Sequence, residues 1–162
     1  MSKQIIIAFL SLIIGIGIGI MLTIIAYPFV FPPPEVNEQI NNVEDKQKTH
    51  SGMFIHPNPS DPIHWGQGEV IIYQHDNNYE VFLGKDFEVG PGPAYHVYLS
   101  TGSDIKTNGQ FENASNFDIG KLKSFKSSQV YQVSSEVELS QINSVVIWCE
   151  TFGQLITSAT LE

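Results

Sequence analysis

Glu69-Val70-Ile71-Ile72-Tyr73 and Tyr79-Glu80-Val81-Phe82-Leu83 stand on either side of Asp76-Asn77-Asn78, and this stretch decides the class of the fold. β-branched and aromatic residues suit a pleated surface, and a polar Asp-Asn-Asn link between two such runs is a hairpin signal. Working outward, Ala94–Ser100, Gln129–Val133, Ser144–Glu150 and Leu155–Thr160 have the same texture, with Gly, Asn, Asp and Pro between them. No window of about 12 residues in this region sustains a 3.6-residue apolar period, so no long helix is expected. Short strands at regular spacing predict an all-β domain, an antiparallel β-sandwich over residues 51–162. Those roughly 112 residues bury a core without disulfides. No internal repeat is present.

Within this pattern Ser144-Val145-Val146-Ile147-Trp148-Cys149 is apolar on both faces. Val145, Ile147 and Cys149 share one side, and Val146 and Trp148 the other. Such a strand is expected to be central and covered on both sides.

The domain occupies only part of the 162 residues, of which 42% are apolar and 15% charged. A charged share well under the usual figure of about 25% points to a membrane segment joined to an ordinary domain. Acids outnumber bases 17 to 8, the net charge is −9, and every base is a lysine. Nucleic acid is therefore not an expected partner, because phosphate neutralisation needs a basic patch. The single cysteine, Cys149, excludes an intrachain disulfide, a zinc ribbon and a CxxC redox motif.

The apolar excess lies at the front. Ile5 to Ala26 is uncharged over 22 positions, which span roughly 33 Å as a helix, enough to cross a hydrocarbon core. A cleavable signal peptide is the competing reading, but its apolar region is usually about 7–15 residues long and ends in small residues. Here the run is longer and ends in Ala26-Tyr27-Pro28-Phe29, so residues 5–27 read as an uncleaved transmembrane anchor. Tyr27 and Phe29 suit headgroup depth. Lys3 precedes the span and Glu35 and Glu38 follow it, which places residues 1–4 in the cytoplasm and the domain outside. Gly15 and Gly19 form a GxxxG pair, a common feature of spans. Residues 28–50 read as a stalk, with Pro32-Pro33-Pro34 breaking the helix and Val36, Ile40 and Val43 spaced for at most a marginal amphipathic helix.

The chemistry-bearing residues give a short inventory. A blue-copper site draws Cys, His and Met from one closing loop. After Cys149 the chain contains neither His nor Met, which counts against a cupredoxin. His50, His56 and His64 lie among Pro57, Pro59 and Pro62 without ligand spacing and read as solvated loop residues, and His75 flanks the hairpin turn. His96, beside Tyr98 on the face of its strand opposite Tyr95, Val97 and Leu99, reads as a candidate ligand or as a structural residue. No GxSxG, HExxH or P-loop is present. Asp86/Glu88 and Glu136/Glu138 read as solvated carboxylates in turns, and Asn113-Ala114-Ser115 is a glycosylation sequon.

Ser144-Val145-Val146-Ile147-Trp148-Cys149-Glu150-Thr151-Phe152 resembles the signature of the DM-thirteen domain. That family is labelled electron transfer and occurs beside DOMON domains in Skeletor-type animal proteins and in membrane-anchored prokaryotic proteins. The likeness continues in Ser158-Ala159-Thr160-Leu161, Gln129–Val133, Asp118–Lys123, Gly90–Leu99 and Gly52–Gly68, in matching order over residues 51–162. It implies a β-rich fold and redox chemistry at Cys149, as a bare thiol or as a ligand to a group such as haem. The loop Gly90–Pro93 and His96 are the candidates to approach the cysteine. One departure is Gln154-Leu155-Ile156-Thr157, where family members often carry FG, so the last strand is expected to pack differently. Two functions of different class follow: an extracytoplasmic redox module working through Cys149, or a non-catalytic surface module that binds a protein or matrix partner, with Cys149 as core.

Overall fold

The computed structural model describes residues 3–76, 78–134 and 136–162. Asn77, in the middle of the expected hairpin turn, lies outside the described residues, as do Met1 and Ser2. The chain opens with helix α1 (Lys3–Val30), long and apolar enough to cross a membrane. Ten strands follow in the order β1 (Gln47–Met53), β2 (Gly66–Gln67), β3 (Glu69–His75), β4 (Asn78–Leu83), β5 (Glu88–Val89), β6 (Tyr95–Ser100), β7 (Asn116–Lys121), β8 (Gln129–Val133), β9 (Ser144–Cys149) and β10 (Gln154–Thr160), with the five-residue helix α2 (Asn108–Glu112) between β6 and β7. Every strand pair is antiparallel.

Alternation of apolar residues builds two four-stranded sheets, β1-β3-β4-β8 and β10-β9-β6-β7, with β2-β5 as a small third ladder. Val70, Ile72, Val81, Leu83, Tyr131 and Val133 from the first sheet pack against Tyr95, Val97, Leu99, Val145, Ile147 and Cys149 from the second. This is the antiparallel β-sandwich that the spacing predicts, and burying these two faces supplies its main driving force. The sheet edges meet at the sides. Phe54 bridges to Ala159, and Ser51 and Glu162 exchange backbone hydrogen bonds of 3.1 and 2.8 Å.

β9 is buried at all six positions, as its composition predicts. Its second face is covered by a separate cluster in which Val146, Trp148 and Leu155 pack with Ile105 and Phe111. The capping box on α2 holds Phe111 there, since Thr107 accepts the Gln110 N–H while the Gln110 side chain accepts from the Thr107 N–H. The Phe111 and Trp148 rings stack at 4.4 Å.

Four strands differ from the sequence expectation: the two-residue β2 and β5, which put Glu88 in a ladder rather than a turn, and the longer β1 and β7. β1 has the sequence QKTHSGM and β7 the sequence NFDIGK; both are edge strands, and polar residues there discourage pairing with another chain. The chain between α1 and β1 also behaves differently from a free stalk. No amphipathic helix forms over Val36–Val43; instead residues 35–38 run beside β8, where Glu38 N–H donates to the Ser128 carbonyl at 3.0 Å. Glu35 pairs with Lys126 at 2.7 Å and Glu38 with Lys123 at 2.6 Å. Burial opposes ionisation of Glu38, but the Lys123 ammonium and the Val130 N–H outweigh it and hold the carboxyl below its ordinary range.

Candidate functional site

Cys149 ends β9, and the register pairs it with Tyr95, the first residue of β6. Its side chain faces the core and is 2% exposed. The Sγ–H donates to the Pro93 carbonyl at 3.2 Å, so the glycine–proline loop Gly90–Pro93 does approach the cysteine. That loop is tightly seated. A Cβ on Gly90 would overlap the Ile63 carbonyl, and one on Gly92 would overlap the Tyr95 hydroxyl. Burial pushes the Cys149 thiol above its ordinary range. Backbone N–H groups of Phe152 and Thr151, in the turn to β10, act on the sulfur in the opposite sense, without reversing the shift.

Around the sulfur is a cleft of about 300 Å³, walled by Ile63, His64, Pro91, Phe152 and Ile156 and closed on one side by Ile25 and Phe29 of α1. Ile63 and Phe152 are 47% and 46% exposed, so the rim is apolar and open. His64 is fixed by its own loop. Asp61 Oδ1 accepts the N–H groups of Ile63 and His64 at 2.9 and 3.1 Å, and His64 Nδ1 donates to Asp61 Oδ2 at 2.6 Å. These contacts, the His64 side chain first, lower the Asp61 carboxyl to about 2. His64, read from sequence as a solvated loop residue, is thus the histidine that shares a cleft with Cys149. The Asp-Pro-x-His spacing is the available signal, because an Asp so placed caps the turn that aims the histidine.

His96 is elsewhere. The register sets it against Trp148, on the face of the sheet away from Cys149. Its Nδ1 donates to Asp118 Oδ2 at 2.8 Å, next to Tyr98, whose hydroxyl donates to Glu150 Oε1 at 2.6 Å. The expected approach of His96 to the cysteine is therefore not made, since alternation along β6 sends adjacent side chains to opposite faces. His56 hydrogen-bonds the Asp61 carbonyl at 2.7 Å and His75 the Asp45 carbonyl at 3.1 Å. No group of three His, Cys, Asp or Glu side chains able to hold a metal ion occurs among the described residues.

A haem held through cysteine needs an ionised sulfur with open space before it. Here the sulfur is covered by the Pro93 carbonyl and 2% exposed, and burial pushes its thiol above the ordinary range, away from the ionised form. The residues as arranged do not fit that group, whereas they do fit a shielded thiol beside a fixed histidine.

Comparison with curated proteins and with solved structures gives no significant match. A family model described as electron transfer DM13 matches residues 59–161, which takes in β2 to β10, the Gly90–Pro93 loop, His64 and Cys149. By that match over more than half of its length, the chain belongs to the DM13 electron-transfer family.

Proposed function

We propose that the protein is a membrane-anchored redox module, held by α1 with its β-sandwich on the extracytoplasmic side, and that Cys149 is its working residue as a thiol. The observation that carries this reading is the cleft itself. The only sulfur nucleophile of the chain lines a gap with an exposed apolar rim and a carboxylate-held histidine. A cysteine that served only as core filling would need none of these. The reaction class is exchange with a partner disulfide. Ionised Cys149 attacks one partner sulfur, a mixed disulfide forms, and the other partner sulfur leaves as a thiolate that takes up the proton Cys149 gave. His64, which lines the same cleft, is the group we assign to carry that proton. Burial of the thiol makes the step slow until the Gly90–Pro93 loop shifts off the sulfur, which suits an exchange triggered by docking on the exposed rim of Ile63 and Phe152.

Membrane attachment rests on the length and hydropathy of α1, and orientation on Lys3 before it and Glu35 and Glu38 after it. A surface-binding module with Cys149 as core is the second reading, favoured by the 2% exposure of the cysteine. One experiment separates the two. The full chain is isolated from membranes with thiols trapped, and Cys149 is scored as free or disulfide-linked, against Cys149→Ser. A reversible mixed disulfide that vanishes in Cys149→Ser is expected. A thiol that stays reduced, and that an added small disulfide does not convert in the folded protein, establishes the surface module instead. Protease added to intact cells should digest residues 31–162, and full protection would overturn the orientation.

A further inference from the structure

A second hollow, larger than the Cys149 cleft, lies on the other side of the same helix end. It measures about 860 Å³ and is bounded by Ile24, Tyr27 and Phe31 of α1 and its exit, and by Leu122 and Phe125 of the sandwich. The Tyr27 and Phe31 rings lie 5.2 Å apart, and Phe125 meets Tyr95 edge-on at 5.8 Å, so the walls are aromatic and aliphatic. Pro28 is buried against the domain, which seats the last turns of α1 between this groove and the Cys149 cleft.

The helix rises about 42 Å over its 28 residues, while a hydrocarbon core is only about 30 Å thick. If Ile5 enters the core, about 20 residues cross it, and the helix beyond about Ile24 stands at headgroup depth. The groove therefore opens where phospholipid headgroups and the first carbons of their chains lie. Its polar edge is chemically one-sided. Lys123 is taken up by Glu38 and by the Val130 carbonyl at 2.7 Å, and Lys126 by Glu35. Lys121, exposed and on the lining of the groove, has no carboxylate partner among the described residues. Although the chain carries a net charge of −9, this free ammonium beside an apolar hollow accepts an anionic headgroup locally and rejects a cationic one.

From this geometry we infer that the groove is a binding site for one anionic phospholipid of the host bilayer, its phosphate on Lys121 and an acyl chain along Ile24, Tyr27, Phe31 and Phe125. The inference rests on the anchor reading above. Occupancy would fix the sandwich against the bilayer and so set the height of the Cys149 cleft over the membrane.

The test uses the full chain in lipid nanodiscs of phosphatidylcholine alone or mixed with phosphatidylglycerol, read by hydrogen exchange at the amides of Gly92, Ala94 and residues 121–125. Exchange several-fold slower in the phosphatidylglycerol discs is expected, lost in Lys121→Glu, kept in Lys121→Arg and unaffected in Lys85→Glu, a reversal of another exposed lysine off the groove. Equal exchange in both discs, or a difference that Lys121→Glu leaves in place, overturns the lipid site while the anchor stands. Release of the chain from native membranes by alkaline extraction overturns both together.

Discussion

The two faces of β9 are made of neighbouring residues and do different work. Trp148 faces outward, sealed under α2 by the Phe111 ring at 4.4 Å, with His96 and Tyr98 alongside on β6. Cys149 faces inward and touches a loop carbonyl across a cleft whose rim is open. The outward face is filled space, and its polar groups are paired with each other. The inward end is packed too, with the sulfur covered by the Pro93 carbonyl beside the open rim. One step along a strand thus separates a stacked indole under α2 from a thiol beside a cleft, and substitutions on the two faces should have different consequences.

The largest effect is expected on the outward face. Trp148→Ala removes a stacked, buried indole (7% exposed) and should cost about 3–5 kcal/mol, read as a fall in the denaturant midpoint. Cys149→Ala deletes one sulfur and should cost about 1 kcal/mol. Equal costs would mean that the two faces are energetically alike and that the cysteine is an ordinary core residue.

Next comes the wall of the cleft. Gly92→Ala forces its Cβ into the Tyr95 hydroxyl, so the loop or the ring must move, at a cost of about 1–3 kcal/mol. The same movement loosens the cover over Cys149. Alkylation of the thiol should be faster in Gly92→Ala than in the wild type at a pH where both remain folded. Unchanged alkylation would show that something other than this loop shields the sulfur.

A smaller effect separates the two histidines. His64→Ala should alter the rate and pH profile of Cys149 alkylation, and His96→Ala should leave both as they were. The Asp61 carboxyl that holds His64 is lowered to about 2 from an ordinary value of 3.8. A group depressed on folding contributes stability that is present above its unfolded pKa and lost as pH falls through the folded one. Asp61→Asn should therefore lower Tm at neutral pH, with the gap to wild type closing between about pH 4 and pH 2. A gap constant over that window would mean that the Asp61 charge does not hold the His64 loop.

Much of this contrast is legible in the amino-acid sequence. The hairpin Glu69–Leu83 and the two-sided burial of β9 follow from unbroken apolar spacing, which leaves few other ways to hide the side chains. The edge strands β1 and β7 are not legible, because an edge that resists aggregation is written in the same polar residues as a loop. The site is half legible. Alternation sorts Tyr95, Val97 and Leu99 from His96 and Tyr98, and Cys149 from Trp148, within each strand. What it omits is the parity between strands, namely that Tyr95 rather than His96 lies opposite Cys149. His64 is hidden for a related reason: its loop meets the cysteine across some 85 positions of chain, and no local pattern encodes such a meeting.

That parity has a local source, and it yields the smallest effect. Ala94, between the glycine–proline loop and β6, has φ of 48°, and its carbonyl accepts the Glu150 N–H at 3.0 Å. This bond fixes the first rung of β6 on β9 and so decides which β6 residue faces the sulfur. An alanine in the left-handed region carries a cost of about 1–2 kcal/mol that glycine avoids. Glycine gives back about 0.4–1 kcal/mol through the extra freedom of its unfolded chain. Ala94→Gly should therefore stabilise the domain by less than about 1.5 kcal/mol, a rise of a few degrees in Tm. Ala94→Val, with a branched Cβ at the same φ, should destabilise it and expose Cys149 to alkylation. If valine is tolerated with the thiol still shielded, the turn does not set the register, and the separation of the two faces is enforced by the core alone.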